Sequence, residues 1–150
     1  VERISILKNE NNMEERVEIL QSQSLYDSRK PYMNKEKVEV FKYPCVYTTH
    51  LNGIIKCLYS NTNKKGHFGV PKVIFSIATT LPIIDLDGIY GLTQFSCGIV
   101  DKPENLPFIQ KAMLNPKFIE LMSYCPGWCK DTYNHRVIAL FRKDFWKDYI

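Results

Sequence analysis

The sequence predicts an α+β domain: a curved, mostly antiparallel sheet over about residues 38–100, with C-terminal helices packed on it. Three observations lead there. Short alternating apolar runs recur between 38 and 100, separated by the tight-turn signals "LNG" (51–53) and "LDG" (86–88). Beyond 101 the apolar residues shift to helical spacing, with asparagine and proline at a helix start. Aromatic residues make up 13% of the chain, nine Tyr and eight Phe, which suits a sheet. The 150 residues fit one domain, and 45% hydrophobic with 24% charged residues is enough for a buried core.

In chain order, "ERISIL" (2–7) reads as a short strand and "NNMEERVEILQS" (11–22) as a helix. Asn11 or Asn12 would cap it, and Glu14 and Glu15 favour its first turn. Residues 22–37 are polar and irregular, so 1–37 is expected to be an N-terminal helix and linker. "VEVFKYPCVYTT" (38–49) alternates as a strand, with Pro44 marking an edge, bulge or break. "IIKCLYS" (54–60) is its returning partner. "KVIFSIA" (72–78) is a strong strand, and 82–100 reads as two strands around the Asp-Gly turn. "DKPENLPFIQKAML" (101–114) is a helix with Asp101 and Glu104 at capping-box spacing. "NPKFIELMSY" (115–124) is a second, capped by Asn115. "HRVIALFRKDFWKDYI" (135–150) begins strand-like and ends in an amphipathic turn or helix.

Charge and cysteine narrow the function. The net charge of +4 is modest. Its distribution says more. No acidic residue lies between Glu39 and Asp85, while Lys42, Lys56, Lys64, Lys65 and Lys72 do. Such a stretch fits either strands that carry few charges or a surface that meets phosphate. No apolar run reaches the ~18 residues of a membrane helix, so no membrane partner is expected. The N-terminus, "VERISILKNE", carries charges within its apolar stretch and does not read as a signal peptide. Five cysteines, an odd number, suit a reducing, intracellular (cytoplasmic) setting. Cys125 and Cys129 are spaced C-x3-C. With His135 they lack an evident fourth zinc ligand.

The stretch "NTNKKGHFGVPKVIF" (61–75) is not a Walker A loop. Its glycines precede a strand rather than a helix, and no G-K-[ST] is present. Glu39 and Lys42 are spaced E-x-x-K, on opposite faces of a strand, unlike a two-metal nuclease. Asp85 and Asp87 flank a turn, where carboxylates commonly bond local backbone. Recognition remains. Asn63, Lys64, Lys65 and His67 can donate to phosphate or base edges, and Thr79, Thr93 and Gln94 are polar residues in apolar strand regions.

The order of features resembles the C-terminal target-recognition (specificity) domain of TaqI-like N6-adenine DNA methyltransferases and of fused restriction–modification enzymes. Val70-Pro71-Lys72-Val73-Ile74-Phe75 is similar to the family's proline-lysine strand. Asp85–Gly88 matches its aspartate-bearing hairpin, and Leu92-Thr93-Gln94 the next strand. Met113-Leu114-Asn115 matches the start of its apolar helix, with Pro116 in place of a serine. The resemblance spans roughly 40–145. The family's [DNS]-P-P-[YFW] motif and a glycine-rich S-adenosylmethionine loop are both missing from these residues.

The resemblance implies sequence-specific binding of double-stranded DNA by a recognition domain over 38–150. Methyl transfer would take place on an upstream methyltransferase domain or subunit. Since the chain opens at Val1 rather than Met, such a domain could precede it; a free-standing module is the other form. S-adenosylmethionine is implied for that parent enzyme and no cofactor for this chain. The expected DNA contacts are Lys64, Lys65 and Lys72 to phosphate, and Asn63, His67, Thr79 and Gln94 to bases or backbone. Arg29 and Lys30 extend the basic surface. The rival expectations are a metal-dependent nuclease on Asp85, Asp87 and Glu39, and a protein-interaction module.

Overall fold

A computed structural model describes residues 16–49, 54–76, 81–124 and 133–150. At its centre lies Lys72–Ser76 (β5), whose five residues are all buried. Strands pair with it on both sides, and alternate side chains enter two different cores. Val73 and Phe75 join a large cluster with the helices, and Ile74 joins a second with Val46, Ile83 and Leu92.

The chain is α+β, with mainly antiparallel sheets and C-terminal helices. Eight strands are described: Glu18–Gln21 (β1), Met33–Asn34 (β2), Tyr43–Thr49 (β3), Ile55–Ser60 (β4), β5, Ile83–Asp85 (β6), Gly91–Leu92 (β7) and Ser96–Val100 (β8). They form two four-stranded sheets rather than one curved sheet: β1-β8-β5-β6 and β2-β4-β3-β7. Every pairing is antiparallel except β3 with β7. The Ile74–Leu92 cluster takes residues from both sheets and so lies between them. The helices cover the other face of the first sheet.

Those helices are Leu106–Met113 (α1), Pro116–Ser123 (α2) and His135–Ile138 (α3). Asn115 caps α2 as its position before a proline suggests, its side chain accepting from the Lys117 N–H. Helix α1 begins later than the Asp101–Glu104 spacing implied. A 3₁₀ turn at Pro103–Asn105 precedes it, and Asp101 Oδ1 instead accepts from the Lys102 N–H and Asn105 Nδ2. Leu106, Ile109, Ala112 and Met113 from α1, Phe118 and Met122 from α2, and Phe141 and Phe145 beyond α3 complete the larger core. Phe118 meets Phe141, Phe145, Tyr133 and Tyr149 at ring separations of 5.2–6.2 Å, mostly edge-on or tilted.

Two expectations are corrected. Within 11–22, residues 18–21 form a strand, not a helix, and pair with β8 from Glu18↔Val100 to Gln21↔Cys97. Val17 and Ile19 face the helix-side core and Leu20 the inter-sheet core. That two-residue alternation serves the open edge of β8, and tertiary pairing overrides helix propensity here. Residues 16–37 therefore supply an edge strand to each sheet. The stretch after 135 begins as a helix, because the Asn134 side chain accepts from the N–H groups of Arg136 and Val137. The proposed strand at 2–7, the caps at 11–12 and the 51–53 turn lie outside the described residues.

Candidate functional site

The proline-lysine strand builds the interior first. Lys72 shares the inter-sheet face of β5 with Ile74 and is fully buried. Its ammonium donates to three oxygens: Asp85 Oδ2 at 2.7 Å, the His67 carbonyl at 3.0 Å and the Val70 carbonyl at 3.2 Å. Three donors meet three acceptors, which is what a buried ammonium requires. Asp85 sits directly opposite on β6 and also accepts from the N–H groups of Ile89 and Tyr90. Burial pulls the Lys72 pKa below the ordinary lysine value, and Asp85 opposes that pull. The aliphatic stem passes over Gly98 of β8, where an added Cβ would lie 3.0 Å from Lys72 Cδ.

His67 is buried beside this pair. Its Nδ1 accepts from the Leu92 N–H at 3.0 Å, so Nε2 carries the proton and donates to the Gln21 carbonyl at 3.2 Å. Burial pushes its pKa down to about 4. Lys72 and His67 were expected to touch DNA. Both are instead withdrawn from solvent, holding the loop before β5 against β1, β6 and β7. Asp85 is equally occupied, which removes it from the nuclease expectation. Glu39 and Asp87 are exposed, and no group of three or more potential metal-ligating residues occurs among the described residues. Cys125 and Cys129 lie outside them.

Gln94 is also corrected. Its Oε1 accepts from the Ser28 N–H at 3.0 Å, and its Nε2 donates to Ser28 Oγ at 2.6 Å. This reciprocal pair ties the 26–32 loop to the turn between β7 and β8, so Gln94 positions a loop rather than reading a base. Thr79 lies outside the described residues. Arg29, Lys30, Asn63 and Lys64 are exposed and Lys65 is half-buried. Arg29 is pinned by Asp27, whose carboxylate accepts from its Nε, Nη2 and backbone N–H, all at 2.9 Å. These bonds hold the Asp27 pKa down to about 2. The Lys65 ammonium stands 4.9 Å from the centroid of the Tyr32 ring, and the Lys65 N–H donates to Tyr26 Oη.

Beside these residues the second sheet bears a groove of about 920 Å³, lined by Ser28, Met33, Asn34, Lys35, Tyr47, Lys56, Cys57, Leu58, Tyr59 and Phe95. A β-bulge creates its aromatic wall. The β3–β4 register runs Val46↔Cys57 and then Thr48↔Lys56, leaving Tyr47 as the extra residue. The Val46 carbonyl accepts from Thr93 Oγ1 and Ser96 Oγ, each at 2.8 Å. Those residues bracket the turn that carries Gln94 and Phe95. Tyr47 projects outward and meets Phe95 at 4.8 Å with rings inclined by 67°.

The groove thus joins two lysines and three aromatic rings, and none of its described lining residues is a carboxylate. Lys35 and Lys56 are exposed and can reach an anion. Its one thiol, Cys57, is pushed up to about 11 by burial and so stays protonated at neutral pH. His67 is likewise committed, and the lysines and rings of the groove are suited to binding. Lys35, Tyr47, Tyr59 and Phe95 were not singled out from the sequence. The signal for Lys56 lay in the carboxylate-free interval, but nothing local marked Tyr47 as a bulge.

Comparison of the chain with protein-family models, with curated proteins and with solved structures gave no match.

Proposed function

We propose that this chain is a recognition module for double-stranded DNA, the specificity part of a restriction–modification, N6-adenine methyltransferase system. Catalysis with S-adenosylmethionine would belong to a domain or subunit outside this chain. The observation that carries the reading is the cationic groove face. Lys35 and Lys56 line the groove. Arg29 and Lys30 follow its Ser28 wall in the chain. Lys65 lies over the ring of Tyr32, whose chain neighbour Met33 lines the groove, and Lys64 precedes Lys65 in the chain. Asp27, the acidic residue beside Arg29, is already bound to it.

Such a face attracts phosphate and releases counterions. The role first given to Lys72 passes to Lys35 and Lys56. Asn63, exposed beside Lys64, remains a candidate for base or backbone contact. The Thr93–Ser96 turn and the Gln94–Ser28 pair supply the rigid support that such contacts need.

The test is duplex binding by fluorescence anisotropy across salt concentrations. Affinity should fall steeply as salt rises. Replacing Lys64 and Lys65 together with alanine should reduce the slope of log K against log salt by about 2, at roughly 0.9 per phosphate contact. Binding that is absent, or indifferent to salt, would overturn the proposal in favour of a protein partner.

A further inference from the structure

The groove has a feature that duplex binding does not need. Phosphate contact needs only cations and hydrogen-bond donors, and the bases of a paired duplex offer their edges rather than their faces in the grooves. Here a β-bulge turns a tyrosine out of its strand, and the turn that fixes the bulge also supplies the phenylalanine it meets. Tyr47 is 36% exposed despite that contact, so part of its ring remains open to a ligand. Phe95 is half-buried beside it. The two rings, inclined by 67°, stand as a corner whose Tyr47 side is partly open to solvent.

The polar groups of the groove complement this corner. Lys35 and Lys56 give it positive charge, with no carboxylate among the described lining residues. Ser28 Oγ already accepts from Gln94, so its own proton is left to donate. Asn34 donates through Nδ2 to the Glu36 carbonyl, which leaves its Oδ1 as an acceptor. An aromatic surface, one donor, one acceptor and two ammonium groups match a single unstacked nucleotide: base on ring, base edge on Ser28 or Asn34, phosphate on lysine.

We infer that the Tyr47–Phe95 corner is a stacking site for one unpaired nucleobase of the DNA that docks on the surrounding cationic face. The inference rests on the duplex-binding reading above and adds a preference which that reading lacks. The bound DNA is held better where one base has left the helix, and Tyr47 is the residue that reads it.

Three duplexes of one sequence test this: fully paired, with one unpaired thymidine, and with an abasic residue in place of that thymidine. The last two carry the same phosphates and differ only in the base. The unpaired thymidine should bind roughly 5- to 150-fold tighter than its abasic counterpart, the range seen for single base–aromatic stacks. Tyr47→Ala should abolish that ratio, and a cooperative urea transition with an unchanged m-value shows that the variant is folded. Tyr47→Trp should restore the ratio, with quenching of the new indole fluorescence by the thymidine probe alone.

Equal affinity for the thymidine and abasic duplexes would overturn the stacking site while leaving salt-dependent duplex binding intact. A ratio that survives Tyr47→Ala would overturn it too, by placing the base elsewhere. Failure to bind any of the three would overturn the duplex reading and this one together.

Discussion

Replacing Lys72 with methionine removes one charge from the middle of the protein and little else. Methionine retains an unbranched stem that can run over Gly98, so the cavity term is small. What is lost is the partner of three oxygens. Asp85 keeps its bonds from the N–H groups of Ile89 and Tyr90 but is left buried without a counter-charge. The carbonyls of His67 and Val70 lose their ammonium donor. Removing one partner of a buried pair costs about 3–5 kcal/mol. At ~2–4 °C per kcal/mol for a chain of this size, Tm should fall by about 6–20 °C.

Urea unfolding, with an unchanged m-value, is the assay. A second variant isolates the charge. In Lys72→Met with Asp85→Asn, the amide oxygen can still accept from the 89–90 backbone and no ion is left unpaired. The double variant should therefore be more stable than the sum of the two single effects predicts, by at least ~1 kcal/mol of coupling. A cost below ~1 kcal/mol for Lys72→Met, or simple additivity, would refute the claim that this pair is desolvated and mutually dependent.

Three further outcomes follow from the same geometry. His67, at about 4 when folded against 6.5 when free, binds its proton first in the unfolded chain, so stability is fully present above pH ~6.5 and declines towards pH 4. The loss should be on the order of 3 kcal/mol, and an imidazole NMR titration with a midpoint near 6.5 would contradict it. Gly88→Ala should unfold the protein or cost more than ~4 kcal/mol, because the new Cβ would lie 2.3 Å from the Val70 nitrogen at a φ of +67°; a stable, native-like variant in urea denaturation would count against that packing. Gln94→Ala should release the 26–32 loop, raising hydrogen exchange at the Ser28 amide at least tenfold with little change in global Tm, and unchanged exchange there would show that the loop is held by other contacts.

The sequence made the centre of the fold legible and its edges obscure. The apolar run of β5, the hairpin of β3 with β4 and the Asn115-Pro116 cap each carry a local signal with one structural outcome. Strand β1 does not: Glu18-Ile19-Leu20-Gln21 suits a helix as readily, and only the distant β8 decides. Lys72 misled for a related reason. A lysine at a strand start is nearly always a surface residue unless paired, and its pairing rests on Asp85 standing opposite in the β5–β6 register. The basic face was visible as an interval free of carboxylates. Its aromatic corner was not, because the bulge at Tyr47 depends on Thr93 and Ser96 reaching the Val46 carbonyl from another part of the chain.

Strand β1 also sets an order of events in time. It leaves the ribosome well before β8, whose Cys97–Val100 are its ladder partners. Until those residues emerge, it has nothing to pair with in its sheet. The first sheet therefore closes by recruiting an old segment to a new one, a non-local step that slows folding. In the interval the unpaired edge can be claimed by a neighbouring chain. A chain cut before β8 should thus associate with its own kind, whereas one that reaches Val100 can seal itself.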